Sequence, residues 1–454
     1  MRGDWFRCCA LCAIFCTAVA SGARAGGELD WRQDAPGHDT HIDVATLPPP
    51  FATPSAGNPP RVIARPADAR LSLPPGFHIE VFATGLAGPR KMLETPGGDV
   101  LVSETYGGRI SLLHPTRMHP TGNGAREPLR EVLAAGLRQP FGLAFYPDAQ
   151  HPRWLYVAES NRVVRYPYPP TGDAARTAQI VVPDLPSGGA HFTRDLAFSP
   201  DGKRMFVSVG SASNIAAGMA AVPPAGIAAW ESQHAPGAAW GGETDRADIL
   251  VFDVDSRAPG RVFATGLRNC VSLTVQPGSG ELWCTTNERD GLGDDLVPDY
   301  STHVAEGAFY GWPWYYLGAH PDPRVVPARP DLRDRVTVPD ILYQAHSAAL
   351  NLTFYTACTG ASAFPAEYVG DAFVAFHGSW NRDPRTGYKL VRVRMRGGRP
   401  TGEYTDFLTG FMVDDADVWG RPVATAELAD GSLLMSDDGS NTIYRISYAP
   451  GPPR

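Results

Sequence analysis

Cysteine is scarce. Four of the seven, Cys8, Cys9, Cys12 and Cys16, crowd the first sixteen residues, and only Cys270, Cys284 and Cys358 follow. An odd trio in a long chain is no disulfide framework, and its spacing fits no zinc site. There is no CxxCH, which excludes a covalently held c-type haem. Cys270 and Cys284 flank a Pro277-Gly278-Ser279-Gly280 turn that sets Cys284 opposite residue 273 rather than 270, so no bridge is expected. A basic stripe is also lacking. The net charge of −8 argues against a nucleic-acid partner. Beyond the first residues no apolar run is long enough for a stable membrane span.

The N-terminus has the pattern of an export signal. Arg2 and Arg7 precede the apolar run CCALCAIFCTAVA, and Ala23-Arg24-Ala25 offers a small-residue cleavage site. Residues 1–25 are therefore expected to be a signal peptide, giving a periplasmic or secreted protein. Its removal takes away three arginines and one aspartate and leaves a mature charge of −10. Residues 26–69 are polar and rich in proline, with Pro48-Pro49-Pro50 and Pro59-Pro60. They are expected to form an extended arm on the domain or to be disordered.

Glycine (48) and proline (43) are abundant and spread throughout, which suits many turns between short strands. One pattern recurs: an apolar pair, Gly-Leu, often a proline, a strand, a turn and a second strand. Copies begin at Phe82, Val132, Val182, Val262, His346 (a weaker one) and Phe407, with insertions at 214–248 and 286–340. A repeat of this size with several strands predicts an all-β, six-bladed β-propeller over residues 70–450. In such a ring, equivalent loops of all blades meet on one face.

The entrance loops carry Arg138, His191, Arg194, Arg268, Asn269, His346 and Arg421. The loops after the second strands carry Glu104, Glu159, Asn214, Glu288, Asp290, Asp294, Asp295, His377, Trp380, Asn381, Arg382, Asp437 and Asp438. Arginines gathered at a cavity suit a ligand with several carboxylates or phosphates, or else each pairs with a neighbouring acid. The acidic loop NERDGLGDD, residues 287–295, is either a calcium loop or a solvated turn, and lacks the EF-hand order. His191, after two glycines at a strand entrance, is either a structural histidine or a general base.

Six segments then bring a resemblance into view: LPSGGAHFTRDLAFSPDGKRMFVSVGSASN, FATGLRNCVSLTVQPGSGELW, NERDGLGDDLVPDY, GAFYGWPWYY, FHGSWNRDPRTGYKLVRV and GRPVATAELADGSLLMSDD. Together they resemble the pyrroloquinoline quinone (PQQ)-dependent sugar dehydrogenases of the soluble glucose dehydrogenase type, nearest the L-sorbosone dehydrogenase-like branch. The resemblance implies a propeller holding PQQ and Ca²⁺ that oxidises a sugar or sugar-derived aldehyde and passes electrons to an external acceptor, a soluble cytochrome or quinone. It implies His191 as catalytic base and Arg194, Asn214, Arg268, Asn269, Arg382 and Arg421 as cofactor contacts. It further implies the backbone of Glu288, Arg289 and Asp290 as the metal loop, with Tyr343 and His346 beside the substrate. Against the glucose enzymes the chain departs at Ser213 and Val423, where they carry arginine, and at Cys270, where they carry proline. Two other readings of the same ring are a calcium-dependent lactone hydrolase and a non-catalytic propeller that binds glycans or proteins.

Overall fold

The computed structural model describes residues 30–120, 126–170, 177–256 and 258–449. The expected signal peptide lies outside them. Among the described residues no helix is long and apolar enough to cross a membrane.

Six antiparallel sheets, each built on four consecutive strand positions, form the six blades of a β-propeller. Blade one comprises Pro89–Glu94, Val100–Glu104, Arg109–Pro120 and Arg126–Ala135. Blade two comprises Leu143–Tyr146, Trp154–Glu159, Arg162–Pro167 and Gln179–Val182. Blade three comprises Leu196–Phe198, Arg204–Val209, Asp248–Asp253 and Arg261–Ala264. Blade four comprises Cys270–Val275, Leu282–Thr286, Asp299–His303 and Ile341–Tyr343. Blade five comprises Ala349–Phe354, Ala372–Phe376, Lys389–Arg396 and Arg399–Leu408. Blade six takes Pro422–Glu427, Leu433–Asp437 and Thr442–Tyr448 from the end of the chain and its outer strand, Phe77–Ala83, from the beginning. That last pairing runs antiparallel from Phe77 opposite Tyr448 to Ala83 opposite Ile443 and closes the ring.

The first strands of the blades touch one another in a circle around the axis. Across that axis the Lys91 Nζ of blade one meets Asp195 Oδ2 of blade three at 2.6 Å, and the same oxygen accepts from Leu273 N of blade four at 2.8 Å. Apolar residues fill the wedges between sheets. Between blades five and six lie Phe77, Phe364, Tyr368, Phe373 and Phe407; Phe77 meets Phe364, Tyr368 and Phe407 edge to face, and Tyr368 stacks on Phe373. The recurrent sequence unit is offset from the blade by one strand. Its apolar pair ends the outer strand of one blade, as Phe82-Ala83 and Phe263-Ala264 do, and its Gly-Leu crosses to the first strand of the next.

The expectation for the cysteines is overturned: Cys270 and Cys284 form a disulfide, with Cα atoms 5.8 Å apart. The pairing of Leu273 with Cys284 is as expected. A register shift between Cys270 and Ser272, however, puts Cys270 opposite Thr286 and brings it back within reach of Cys284. The described part of the arm is extended and lies on the domain. Asp39–His41 adds a fifth strand to blade five, and Arg61–Val62 runs parallel to Asp417–Val418. The first insertion carries the only α-helix among the described residues, Pro224–His234. The second carries the short hairpin of Tyr315–Tyr316 and His320–Pro321.

Candidate active site

Where chain crosses from one blade to the next, it leaves N–H groups near the axis that need acceptors. Carboxylates at the ends of second strands supply them. Glu104 accepts from Ala87 N at 2.6 Å, Glu159 from Arg138 N at 2.6 Å and Asp437 from Arg421 N at 2.7 Å. All three are buried. Glu104 and Glu159 are also neutralised by Arg109 and Arg162, so these acids clip the loops rather than line a mouth.

The clipped loops surround a cavity of about 430 Å³ at one end of the axis. Among its lining residues are Arg90 of blade one, His191, Phe192 and Asn214 of blade three, and Arg268, Asn269, Glu288, Asp290 and Asp299 of blade four. His346, His377, Trp380, Asn381 and Arg421 come from blades five and six and the chain leading into them. Thus eight of the twelve residues to which the resemblance gives a role share one wall: His191, Asn214, Arg268, Asn269, Glu288, Asp290, His346 and Arg421. Arg194, Arg289, Tyr343 and Arg382 are not among those lining it.

His191 Nδ1 lies 2.8 Å from the Ser211 carbonyl and 3.0 Å from Ser211 Oγ. A carbonyl only accepts, so Nδ1 carries the proton and Nε2 is the basic atom, with no protein partner among the described residues. Burial, and then the charge of Arg268, push the imidazole pKa down to about 3, so the ring is neutral near pH 7. Gly210 allows this approach: a Cβ there would lie 2.8 Å from His191 Cβ and 2.5 Å from Asn269 Oδ1. That Asn269 oxygen is buried without a partner.

The basic residues divide by direction. Arg421 reaches the cavity with only a 3.4 Å bond from Nε to the His377 carbonyl. Arg90 also reaches it, held at 2.9 Å by Asp438 and lying over the rings of Tyr106 and Phe192, with Nε unpartnered. Arg194 turns inward instead. It donates to the carbonyls of Pro186, His191 and Thr193 and so braces the His191 loop. The acid next to it in sequence, Asp195, pairs with Lys91 instead. Arg382 likewise turns away, to the Asp294 carbonyl and to Asp295 Oδ1 at 2.6 Å. Both depart from the expected cofactor contacts, because adjacent residues of an irregular loop point in opposite directions.

Arg268 lines the wall but is committed to the acidic loop. It donates to the Glu288 carbonyl at 2.7 Å, the Asn287 carbonyl at 3.3 Å, Asn214 Oδ1 at 2.9 Å and Asp290 Oδ2 at 3.2 Å. Asn214 also binds Asp290 through both backbone groups, at 3.0 Å each. The guanidinium therefore occupies carbonyl oxygens that the expected metal loop would present. Among the described residues no group of three or more His, Cys, Asp or Glu side chains is arranged to hold an ion. In this arrangement the donor set does not fit calcium. Arg289 is fully buried beneath the second insertion, donating to the carbonyls of Pro313 and Tyr315 at 2.6 Å, and is an internal anchor.

The substrate residues also need correction. Tyr343 is sealed between blades four and five against Phe376 and Tyr404, because its strand position faces the sheet interface. His346 lines the cavity, but both ring nitrogens are bonded: Nε2 to the Gly293 carbonyl at 3.0 Å and Nδ1 to Asn381 Nδ2 at 2.9 Å. The aromatic residues Trp312, Trp314, Tyr315 and Tyr316 are buried as packing. Of the two departures, Ser213 is bonded to Glu243 and Val423 is buried.

Sequence reasoning missed Arg90, Phe192 and Asp299. Arg90 follows Gly88-Pro89 as Arg421 follows Gly420, a correspondence between blade entrances that would have exposed it. Asp299, at the start of a third strand, accepts from Glu288 N and Ala348 N, and burial raises its carboxyl to about 7. In the same lining, His377 Nε2 donates to Asp438 Oδ1 at 2.7 Å. Burial takes this imidazole down to about 4, against the opposing pull of Asp438.

The chain resembles known proteins over most of its length. It is 24% identical over 411 residues to an uncharacterized protein of Borreliella burgdorferi, covering 85% of this chain and 93% of that one. It is also 24% identical to a pyrroloquinoline quinone-dependent pyranose dehydrogenase of Coprinopsis cinerea, covering 84% of this chain but only 55% of that enzyme, about half its length. The fold is similar to the PQQ domain of that pyranose dehydrogenase in its holo form (TM-score 0.63, 21% identity, 85% of this chain and 98% of that one). It is similar too to a calcium structure of the Trichoderma reesei Carbohydrate-Active Enzymes Family AA12 (TM-score 0.63, 21% identity, 90% and 99%). The family model described as TrAA12-like matches residues 71–306 and 331–449, taking in strands of all six blades, and the chain belongs to that family.

Proposed function

We propose that the protein is a PQQ-dependent oxidoreductase that oxidises a hydroxyl or hydrated aldehyde of a sugar, of the pyranose or L-sorbosone class, with His191 as general base. One observation carries the reading: a neutral imidazole with its basic Nε2 free faces a cavity into which Arg90 and Arg421 also point. Two cations at one mouth, with the unpartnered Nε of Arg90 and Oδ1 of Asn269, fit a flat polyanion that brings both carboxylates and ring donors. The named PQQ enzyme among the relatives supports the choice of that polyanion.

When bound, PQQ supplies the two-electron acceptor, and the chain supplies position and proton handling. Arg421 and Arg90 bind and orient the anionic edge. His191 Nε2 takes the substrate hydroxyl proton as the carbinol carbon loses its hydrogen with the bonding pair. The Ser211 carbonyl accepts from Nδ1 and stabilises the imidazolium that forms. Phe192 and Trp380 provide apolar walls for the sugar.

A calcium structure is among the similar folds, but the donor set of this loop as it stands does not fit the ion. On the 287–290 loop it would have to displace Arg268, and no step is assigned to it. Electrons leave to an external acceptor, a soluble cytochrome or quinone, and the N-terminal pattern supports a periplasmic or secreted location. The arginine-lined mouth favours this reading over a lactone hydrolase, whose metal needs side-chain ligands from several blades.

The test is to add PQQ, with and without Ca²⁺, to purified protein and to follow dye reduction with a panel of aldoses and aldoketoses. Turnover with PQQ alone or with both is expected. No reduction across the panel together with no change in the PQQ spectrum would sink the reading.

A further inference from the structure

The described arm crosses the cavity face and bonds to loops of three blades in turn. Residues 51–56 meet the acidic loop. Phe51 N donates to the Leu292 carbonyl at 2.7 Å, Gly293 N to Ser55 Oγ at 2.9 Å, Asp294 N to Thr53 Oγ1 at 2.8 Å and Ala56 N to Asp294 Oδ1 at 2.8 Å. Asn58 then meets the loop after the second strand of blade five. Its N–H donates to the Trp380 carbonyl at 2.7 Å and its Nδ2 to the Arg382 carbonyl at 3.2 Å. Its own carbonyl and Oδ1 accept from the two terminal nitrogens of buried Arg385 at 2.6 and 2.7 Å. Arg61 closes the crossing by pairing with Asp417 ahead of blade six.

These contacts do not stop at the surface. Gly293, held by Ser55, accepts from His346 Nε2. His346 Nδ1 accepts from Asn381 Nδ2, which also reaches Asp290 Oδ1 at 2.6 Å. Asp290 Oδ2 accepts from Arg268 in the cavity wall. The acidic loop between Thr286 and Asp299 has no strand of its own. Its irregular backbone therefore takes part of its hydrogen bonding from the arm, since buried polar groups need partners. Trp380 is 52% exposed at the cavity, and its carbonyl is held by the Asn58 N–H.

We infer that the arm is a working part of the site: Thr53, Ser55 and Asn58 are positioning residues that hold the cavity wall at Asp290 and Arg268 and hold Trp380 at the mouth. The inference rests on the reading above only for what the cavity binds. The latch itself is made without any ligand.

The experiment uses the full chain carrying Asn58→Ala, the double change Thr53→Ala with Ser55→Ala, and Asn58→Asp. Asn58→Asp keeps the acceptor for Arg385. Amide hydrogen exchange without cofactor is expected to quicken by about tenfold or more in residues 290–296 for the double change and in 379–386 for Asn58→Ala, with blades one to three unchanged. PQQ titrated by fluorescence quenching should bind about tenfold more weakly to both alanine variants, and Asn58→Asp should recover most of the loss. Unchanged exchange in both segments, exchange that rises equally in all six blades, or faster exchange with PQQ affinity intact would each overturn the inference. Should the unaltered chain take up no PQQ, the functional reading fails, and the cofactor-free exchange still decides the latch.

Discussion

Two of the imidazoles that line the cavity are held differently. His191 leans on a neutral carbonyl and has Arg268, Arg194 and Arg246 around it. His377 leans on the carboxylate of Asp438, which Arg90 also engages. Both rings are neutral near pH 7. Among the described residues no carboxylate bonds His191, however, whereas His377 already has one. Charge brought by an anionic ligand therefore acts most on His191. Empty, this imidazole is a weak base. A polyanion over it raises its proton affinity and readies it for use, so that ligand binding and base strength are coupled.

The largest effect that tests this contrast is on turnover. His191→Ala is expected to lower kcat by about 10²–10⁴-fold with PQQ affinity nearly intact. His377→Ala should lower kcat by only about tenfold and weaken PQQ binding. Equal losses in single-turnover dye reduction would erase the distinction between the two imidazoles.

The arginines sharpen it next. Arg421→Ala should weaken PQQ binding at least about tenfold, or about 1.4 kcal/mol, with little change in melting temperature. Arg194→Ala should do the reverse, melting earlier because three carbonyls lose a buried donor. An Arg194 variant that keeps its stability and loses PQQ would place that residue in the cavity after all.

The smallest effect is on stability against pH. Both histidines have folded pKa values below the ordinary 6.5, to about 3 and about 4. Between pH 6.5 and those values the unfolded chain binds protons that the folded chain refuses. Their contribution is therefore complete above pH 6.5 and is lost as pH falls. His191→Gln should accordingly lose less stability than the unaltered chain between pH 7 and pH 4.5 in urea unfolding. In the unaltered chain, the His191 ring signals followed by NMR should titrate at higher pH with PQQ than without it, and those of His377 should move less. Equal movement of the two would break the comparison.

Much of the fold could be read in advance because a propeller repeats its instructions. Gly-Leu crossings and second-strand turns recur, and the ring follows from counting them. The weak fifth copy has a physical cause: its preceding outer strand, Ile341–Tyr343, is short and lacks the Gly-Leu crossing. The site was partly legible, since blade entrances had to meet. What was not legible was direction. Arg194 and His191 stand three residues apart in one loop, yet one side chain faces the cavity and the other the interior. Glu104 and Glu159 look like mouth residues in sequence and are clips, because only coordinates reveal which backbone N–H lacks an acceptor. The disulfide was missed for a similar reason: a register shift inside a strand leaves no mark in residue spacing.

The seam in blade six has a consequence for biosynthesis. Its outer strand is translated long before its other three. Until residues near 448 leave the ribosome, Phe77–Ala83 has no partner and the circle is a horseshoe. Arg421 is made only with those later strands, so a small molecule held by the finished pocket is loaded once residues near 448 have been made.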